Sequence, residues 1–233
     1  TRWFGGDAPT DLPHGVGQGN GAAPAIWAVV STPILNMLRD SGYGVKLTSS
    51  LTKAYTHFAA YVFVDDSDQC ETAAHCDVST MELMTQMQAS LNMWEGGLRA
   101  SGGALVPEKS HWYLLQFRWD SEGRVRYATC DEEPATLSVR DPDGNIKPLE
   151  RLEPTEARRT LGVRIALDGN NAEEVKFRLS QASTWADAIR TGRLPRPLTW
   201  LSMTTSILRS LVYPLPATTF TPQECAAILR PVL

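Results

Sequence analysis

Residues 57–69, HFAAYVFVDDSDQ, constrain this chain more than any other stretch. An apolar residue at nearly every position of HFAAYVFV reads as a strand buried on both faces, or as a buried helix segment, with a turn at the acidic pair that follows. Asp65 and Asp66, placed side by side at the end of such a strand, repel one another, which is costly at neutral pH unless a cation or hydrogen-bond donors compensate. A divalent metal is the simplest compensation, because Mg2+ prefers oxygen ligands and takes one or two protein carboxylates together with substrate phosphates. Asp is also a favoured turn residue, so an ordinary polar turn is the alternative.

The surrounding chain narrows the choice. Its 233 residues suffice for one sizeable core or two small ones, and 42% apolar content places it among globular proteins. No apolar run approaches the ~20 residues that span a bilayer, and the opening TRWFGGDAPTDLPHG has no basic segment followed by an apolar one. The expectation is an intracellular protein, nuclear or cytoplasmic, and not a secreted one. Four sparse, irregularly spaced cysteines, Cys70, Cys76, Cys130 and Cys225, fit free thiols in a reducing compartment. The chain begins without an initiator Met, in what reads as loop, and stops just after a helix has begun, as expected of a piece of a longer protein. Charge is uneven: residues 1–150 hold 11 basic and 19 acidic side chains, residues 151–233 hold 11 and 7. A nucleic-acid surface therefore belongs in the second part.

Periodicity divides the chain further. GAAPAIWAVVSTPILNMLRDSG has helical apolar spacing through Ile26, Val29, Val30, Ile34 and Leu38, with Pro24 suited to a first turn and Pro33 placed to kink it. STMELMTQMQASLNMWEGGLRASGG carries a Met/Leu stripe, capped by Ser79 or Thr80 and followed by Gly102 and Gly103. Strand-like runs follow in HWYLLQFRW, GRVRYAT, ATLSVR and TLGVRIAL, with DPDGN as a turn. From Asn171 the character is helical, in NAEEVKFRLSQASTWADAIRTG, in PLTWLSMTTSILRSLVY and in a third helix opened by the capping box of Thr221, Pro222 and Glu224. Trp185 and Trp200 fall on helical stripes and read as packing residues. The composition shift near 168–172 places the domain boundary there, giving domains 1–168 and 169–233.

Before the first helix stands GVGQGNGAAP, residues 15–24, whose four glycines allow a backbone to approach a ligand closely. No Lys-Ser/Thr follows, so it is not a P-loop; a flexible turn is the alternative. This loop is similar to the reverse transcriptase motif written G-V-P-Q-G-x-x-x-S-P, and FVDD at residues 63–66 resembles that family's aromatic-x-Asp-Asp box. ASGGALVPEKSHW resembles the next palm motif, in which Lys109 falls on the family's lysine. TLGVRIALD resembles the Leu-Gly hairpin at the junction of palm and thumb, through Leu161 and Gly162. The four stand in the family's order over roughly residues 15–165, and the likeness is greatest to retroelement polymerases of the non-LTR type.

The resemblance implies an α+β fold: a polymerase palm, with an antiparallel sheet and packed helices, then a helical thumb truncated at its C-terminus, with the fingers absent. It implies RNA-directed DNA polymerase activity, a template-directed nucleotidyl transfer through two Mg2+ ions, with an RNA template, a DNA primer and deoxynucleoside triphosphates as partners. Asp65 and Asp66 are then the metal ligands, and Phe63 packs near the primer end. Gln18 and Gly19 lie against nucleotide and template, and Lys109 lies near the triphosphate. A basic thumb drawn from Arg158, Arg159, Arg164, Lys176, Arg178, Arg190, Arg193 and Arg196 grips the duplex. The family's third carboxylate precedes the glycine loop by some tens of residues, farther than the stretch before Gly15 allows. The expectation is a palm and partial thumb that does not polymerise alone. Gly17 and Ala23 replace the usual Pro and Ser, and the strand-rich segment near 111–150 reads as an insertion. The alternative is a non-catalytic nucleic-acid-binding or interaction protein derived from a degenerate polymerase domain. Cys70, His75 and Cys76 do not have zinc spacing, and no serine lies in a nucleophile elbow.

Overall fold

The computed structural model describes residues 21–63, 66–75 and 77–232. The chain is mixed α+β, with helices and small antiparallel sheets, and divides into two compact units: residues 1–112 with 133–151, and residues 113–132 with 152–233. Each unit is discontinuous in sequence, because the strand-rich middle of the chain contributes to both.

The first unit begins with helix α1 (Ala23–Asp40), which has Pro24 in its first turn. Pro33 lies inside α1 without ending it. Of the residues spaced at helical period, Ile34 and Leu38 are buried while Ile26 and Val29 face solvent. Strands β1 (Val45–Thr48) and β2 (Tyr55–Phe58) form one hairpin, and β3 (Ala60–Phe63) and β4 (Asp66–Gln69) form a second. Helix α2 (Thr80–Ala100) starts from a capping box in which Ser79 accepts from the Glu82 N–H and the Glu82 carboxylate accepts from the Ser79 N–H. Strand β5 (His111–Tyr113) follows, and β8 (Ser138–Arg140) and β9 (Ile146–Pro148) close a hairpin in which the Asp141 carboxylate accepts from the Asn145 N–H.

The core of this unit is Ile34, Leu38, Ala59, Trp94 and Leu98, with Trp27, Val62 and Leu105 packed against it. Helix α2 approaches α1 at Gly97, where a Cβ would come within 2.7 Å of the Ile34 side chain, so the crossing requires glycine. Glu95 is buried beneath α2 and committed to Arg99 at 2.9 Å and to the Arg140 N–H.

The HFAAYVFV stretch is not one strand buried on both faces. It breaks at Ala59 into β2 and β3, and β3 alternates, with Ala60 and Val62 half-buried while Tyr61 (65%) and Phe63 (61%) are exposed. A two-stranded sheet has only one face to lay on the core, so side-chain alternation turns the other set outward despite its hydrophobicity.

The second unit holds the hairpin of β6 (Phe117–Trp119) and β7 (Val125–Tyr127) and the hairpin of β11 (Arg158–Thr160) and β12 (Val163–Ile165); of strand β10 (Glu150–Leu152) only Leu152 belongs to it. TLGVRIAL is therefore not a single strand: Leu161 and Gly162 make its turn, at φ of 49° and 87°, the positive pair that a primed two-residue hairpin turn requires. Helix α3 (Ala172–Gly192) follows, then α4 (Arg196–Ser202), a π turn at Met203–Ile207, α5 (Leu208–Val212) and α6 (Pro222–Leu229). Helix α6 has the capping box expected from Thr221 and Glu224. Ala182, Met203, Ile207, Leu211 and Ile228 form the core, with Trp185 against it. Trp200 is not a packing residue; it is 69% exposed.

Among the described residues, no helix is long and apolar enough to cross a membrane.

Candidate metal and nucleotide site

The hairpin β3–β4 pairs Phe63 with Asp66 directly, and the two residues between them, Val64 and Asp65, lie outside the described residues. Asp66 opens the returning strand with its carboxylate exposed, and no cationic side chain pairs with it among the described residues. Two positions on, at the strand period, Asp68 stands on the same face. Asp68 is exposed, and partial desolvation raises its carboxyl above the usual carboxylate range, the Asp66 charge raises it further, and His111 on β5 partly offsets both. The same negative field acts on Cys70, whose thiol is raised by burial first and then by Asp68 and Glu71. Asp68 belongs to this acidic face although the motifs do not single it out; the sequence signal for it is its spacing of two residues from Asp66 on a strand.

Glu71 shows the contrasting case of a satisfied carboxylate. Its oxygens accept from the Gly44 N–H at 3.0 Å and from the Gln86 amide at 2.7 Å, which ties the loop after β4 to α2. Glu71 is thus a structural anchor, whereas Asp66 has no such partner among the described residues.

Beside the hairpin, α1 and β3 enclose a groove of about 370 Å³ lined by Pro24, Trp27, Ser31, Leu35, Val62 and Phe63, among others. Phe63 therefore bounds both the β3–β4 hairpin and this groove, whose lining includes Pro24 in the first turn of α1. The Trp27 Nε1 is sealed from solvent and has no acceptor among the described residues. Gln18 and Gly19 lie outside the described residues. Lys109 ends the short 3-10 turn Pro107–Lys109, where Pro107 is buried and Lys109 is exposed without an ion pair among the described residues.

The oxygen donors at this hairpin suit a hard divalent cation, since Asp66 is an uncompensated carboxylate open to solvent with a second, Asp68, on the same face. Among the described residues no three His, Cys, Asp or Glu side chains are grouped closely enough to hold a metal ion, so water or phosphate oxygens would have to complete the shell. Cys70, Cys130 and Cys225 form no disulfide among the described residues; Cys76 lies outside them.

In the second unit several arginines expected on a phosphate-binding surface are otherwise engaged. Arg178 is buried, with its Nε 2.6 Å from the Glu174 carboxylate, one Nη donating to the Ser210 carbonyl and the other to the Gly162 carbonyl. It cannot reach a phosphate without unmaking the core of its unit. The Arg164 guanidinium lies 3.8 Å from the Phe177 ring centre, and its Nη1 is sealed from solvent. Arg158, Lys176 and Arg190 pair with Glu156, Glu173 and Asp187. Arg193 and Arg196 are exposed and carry no ion pair among the described residues.

In comparisons with known proteins, the chain matches no family model, no curated protein and no solved structure.

Proposed function

We propose that this chain is the palm and part of the thumb of a reverse transcriptase of the non-LTR retroelement type, contributing to RNA-templated DNA synthesis from deoxynucleoside triphosphates. The observation that carries the reading is the acidic hairpin. Phe63 and Asp66 pair across an antiparallel hairpin, and the Asp66 carboxylate is exposed with no cationic side chain paired to it among the described residues. An unneutralised carboxylate next to a second aspartate is unfavourable by itself and becomes favourable once a divalent cation is bound.

Asp65 and Asp66 would hold the two Mg2+ ions, which supply electrostatic stabilisation of the attacking and leaving oxygens. The chain's own residues have other parts. Phe63 would bound the primer end, Gln18 and Gly19 would lie against the incoming nucleotide and template, and Lys109 would balance charge on the triphosphate. The Leu161–Gly162 turn supports the same reading, because the fourth motif falls on a tight hairpin.

The test is primer extension on an RNA template with Mg2+, using the longest natural polypeptide that contains this chain. Asp65→Ala is expected to abolish extension, Asp66→Ala to lower it strongly, and Lys109→Ala to raise the nucleotide KM. Equal extension by the wild type and Asp65→Ala sinks the assignment of this site.

A further inference from the structure

We infer that the surface around α4 in the second unit binds single-stranded nucleic acid, with Trp200 as a stacking platform and Arg193 and Arg196 as phosphate contacts. This goes beyond the catalytic reading, since it requires neither Asp65 nor a metal ion.

Three observations carry it. First, α4 has no buried residue, yet it bears Leu198, Trp200 and Leu201, all exposed. The helical run is held by its later turns, where Met203, Ile207 and Leu211 enter the core, so the apolar side chains of its first turns stay in water and their face is a candidate for contact. Second, residues 188–223 contain Arg190, Arg193, Arg196 and Arg209 and not one acidic residue. Arg193 and Arg196 have no carboxylate partner among the described residues, so the charge of this surface is available to an anion. Third, Arg196 and Trp200 are four residues apart on one helix and so lie on one face, side by side. Arg193 ends α3 in the left-handed conformation, at φ 46°, immediately before the Leu194-Pro195 link into α4.

A guanidinium beside an exposed indole is the pairing that holds a flexible polyanion whose bases can be splayed out: the cation takes the phosphate and the ring takes the base face. Base pairs already stacked in a duplex present no free face to the indole, which favours a single strand. An anionic membrane attracts the same charges, but the two turns of α4 present little apolar surface for interfacial anchoring.

The experiment measures binding of a fluorescein-labelled oligo(dT) of about 20 nucleotides to the chain by anisotropy, without Mg2+ and over a series of salt concentrations. An RNA–DNA duplex and phosphatidylserine vesicles serve as competing ligands. Trp200→Ala is expected to weaken oligo(dT) binding by about tenfold with the salt slope unchanged, and Trp200→Phe to restore most of it. Arg193→Gln with Arg196→Gln is expected to lower the slope of log K against log salt by about 1.4. Because α4 buries no residue, the thermal unfolding curve of Trp200→Ala should match that of the wild type. Wild-type affinity in Trp200→Ala overturns the proposal, as does tighter binding to the duplex or to the vesicles than to oligo(dT), or no binding to oligo(dT) at all. Loss of primer extension in Asp65→Ala with oligo(dT) binding intact separates this surface from the catalytic site. If the wild type fails to extend but binds oligo(dT) in the expected way, the polymerase reading falls and this one stands.

Discussion

The hairpins β3–β4 and β11–β12 have the same design and opposite electrostatics. Each is an antiparallel pair whose last partners are separated by two residues, Phe63 and Asp66 in one and Thr160 and Val163 in the other. The β11–β12 turn is closed from several sides: the Tyr213 hydroxyl donates to the Leu161 carbonyl at 2.8 Å, the buried Arg178 donates to the Gly162 carbonyl at 3.1 Å, and Glu174 accepts from the Arg164 N–H at 2.8 Å. The turn carbonyls and the buried Arg178 are answered from within the unit, while Arg159 on β11 is exposed without an ion pair among the described residues. In β3–β4 Val62 packs against the core, and the carboxylates of Asp66 and Asp68 share a face without a cation paired to Asp66 among the described residues. One hairpin is fixed by its own unit; the other has charge left over for something the chain does not itself supply.

The largest effect that tests this contrast is at Glu174. Replacing it by Ala strands the buried Arg178 charge and is expected to cost the second unit about 3–5 kcal/mol, read by urea unfolding. Glu174→Leu combined with Arg178→Met should regain most of that loss, since a packed apolar pair can substitute for a buried ion pair. A loss below about 1 kcal/mol in Glu174→Ala, the size of an exposed pair, would remove the claimed difference between the hairpins. Next in size is Tyr213→Phe, which deletes one hydrogen bond to the Leu161–Gly162 turn and is expected to cost about 1 kcal/mol with the fold intact.

The two units should also answer acid differently. Hydrogen bonds from Arg126 and the Thr129 N–H hold Glu132 down at about 2, so its contribution is present above the ordinary Glu value of 4.5 and is lost as pH falls toward 2. Asp68 is shifted the other way, mainly by partial desolvation, so its contribution is present below 3.8 and is lost as pH rises through its raised pKa. Glu132→Gln should therefore flatten the acid limb of the second unit's stability, and Asp68→Asn should remove a loss of stability on the neutral side in the first. Tryptophan fluorescence and amide exchange against pH read both; slopes of the same sign would contradict the assignment. The smallest change expected is in Asp66→Asn, which removes repulsion with Asp68 and should leave the urea midpoint unchanged or slightly raised. A clear fall in the midpoint would mean that the Asp66 carboxylate is structurally engaged.

Much of the local structure could be read directly. Ser79 with Glu82 and Thr221 with Glu224 make the capping boxes their spacing predicts, because a cap depends only on residues within one turn. The DPDGN turn is equally local, since Asp141 bonds the Asn145 N–H and Gly144 takes a positive φ. Burial was harder to read. HFAAYVFV was expected to be covered on both faces, but its sheet has two strands and one covered face. Trp185 and Trp200 looked alike on their helical stripes, yet one packs on the second unit's core and the other faces solvent. Nothing within a turn of either tryptophan distinguishes them; the neighbouring elements do. The site divides in the same way, since the Asp-Asp pair and Lys109 stand in the sequence while Asp68 and the groove along α1 depend on strand pairing and helix placement.

Residues close together in the chain set where helices begin and where hairpins can turn, place two carboxylates side by side at Asp65 and Asp66, and leave residues 188–223 with positive charge alone. Which of those charges are used up follows from how distant segments fold onto one another. Arg178 and Arg164 are drawn into the second unit's interior, Arg193 and Arg196 are left outside, and Asp66 is left without a cation among the described residues. The physical reason is range. Caps and turns are fixed by bonds between residues a few positions apart, whereas the fate of a charge depends on partners such as the Gly162 and Ser210 carbonyls, 16 and 32 residues from Arg178, that only folding brings within reach.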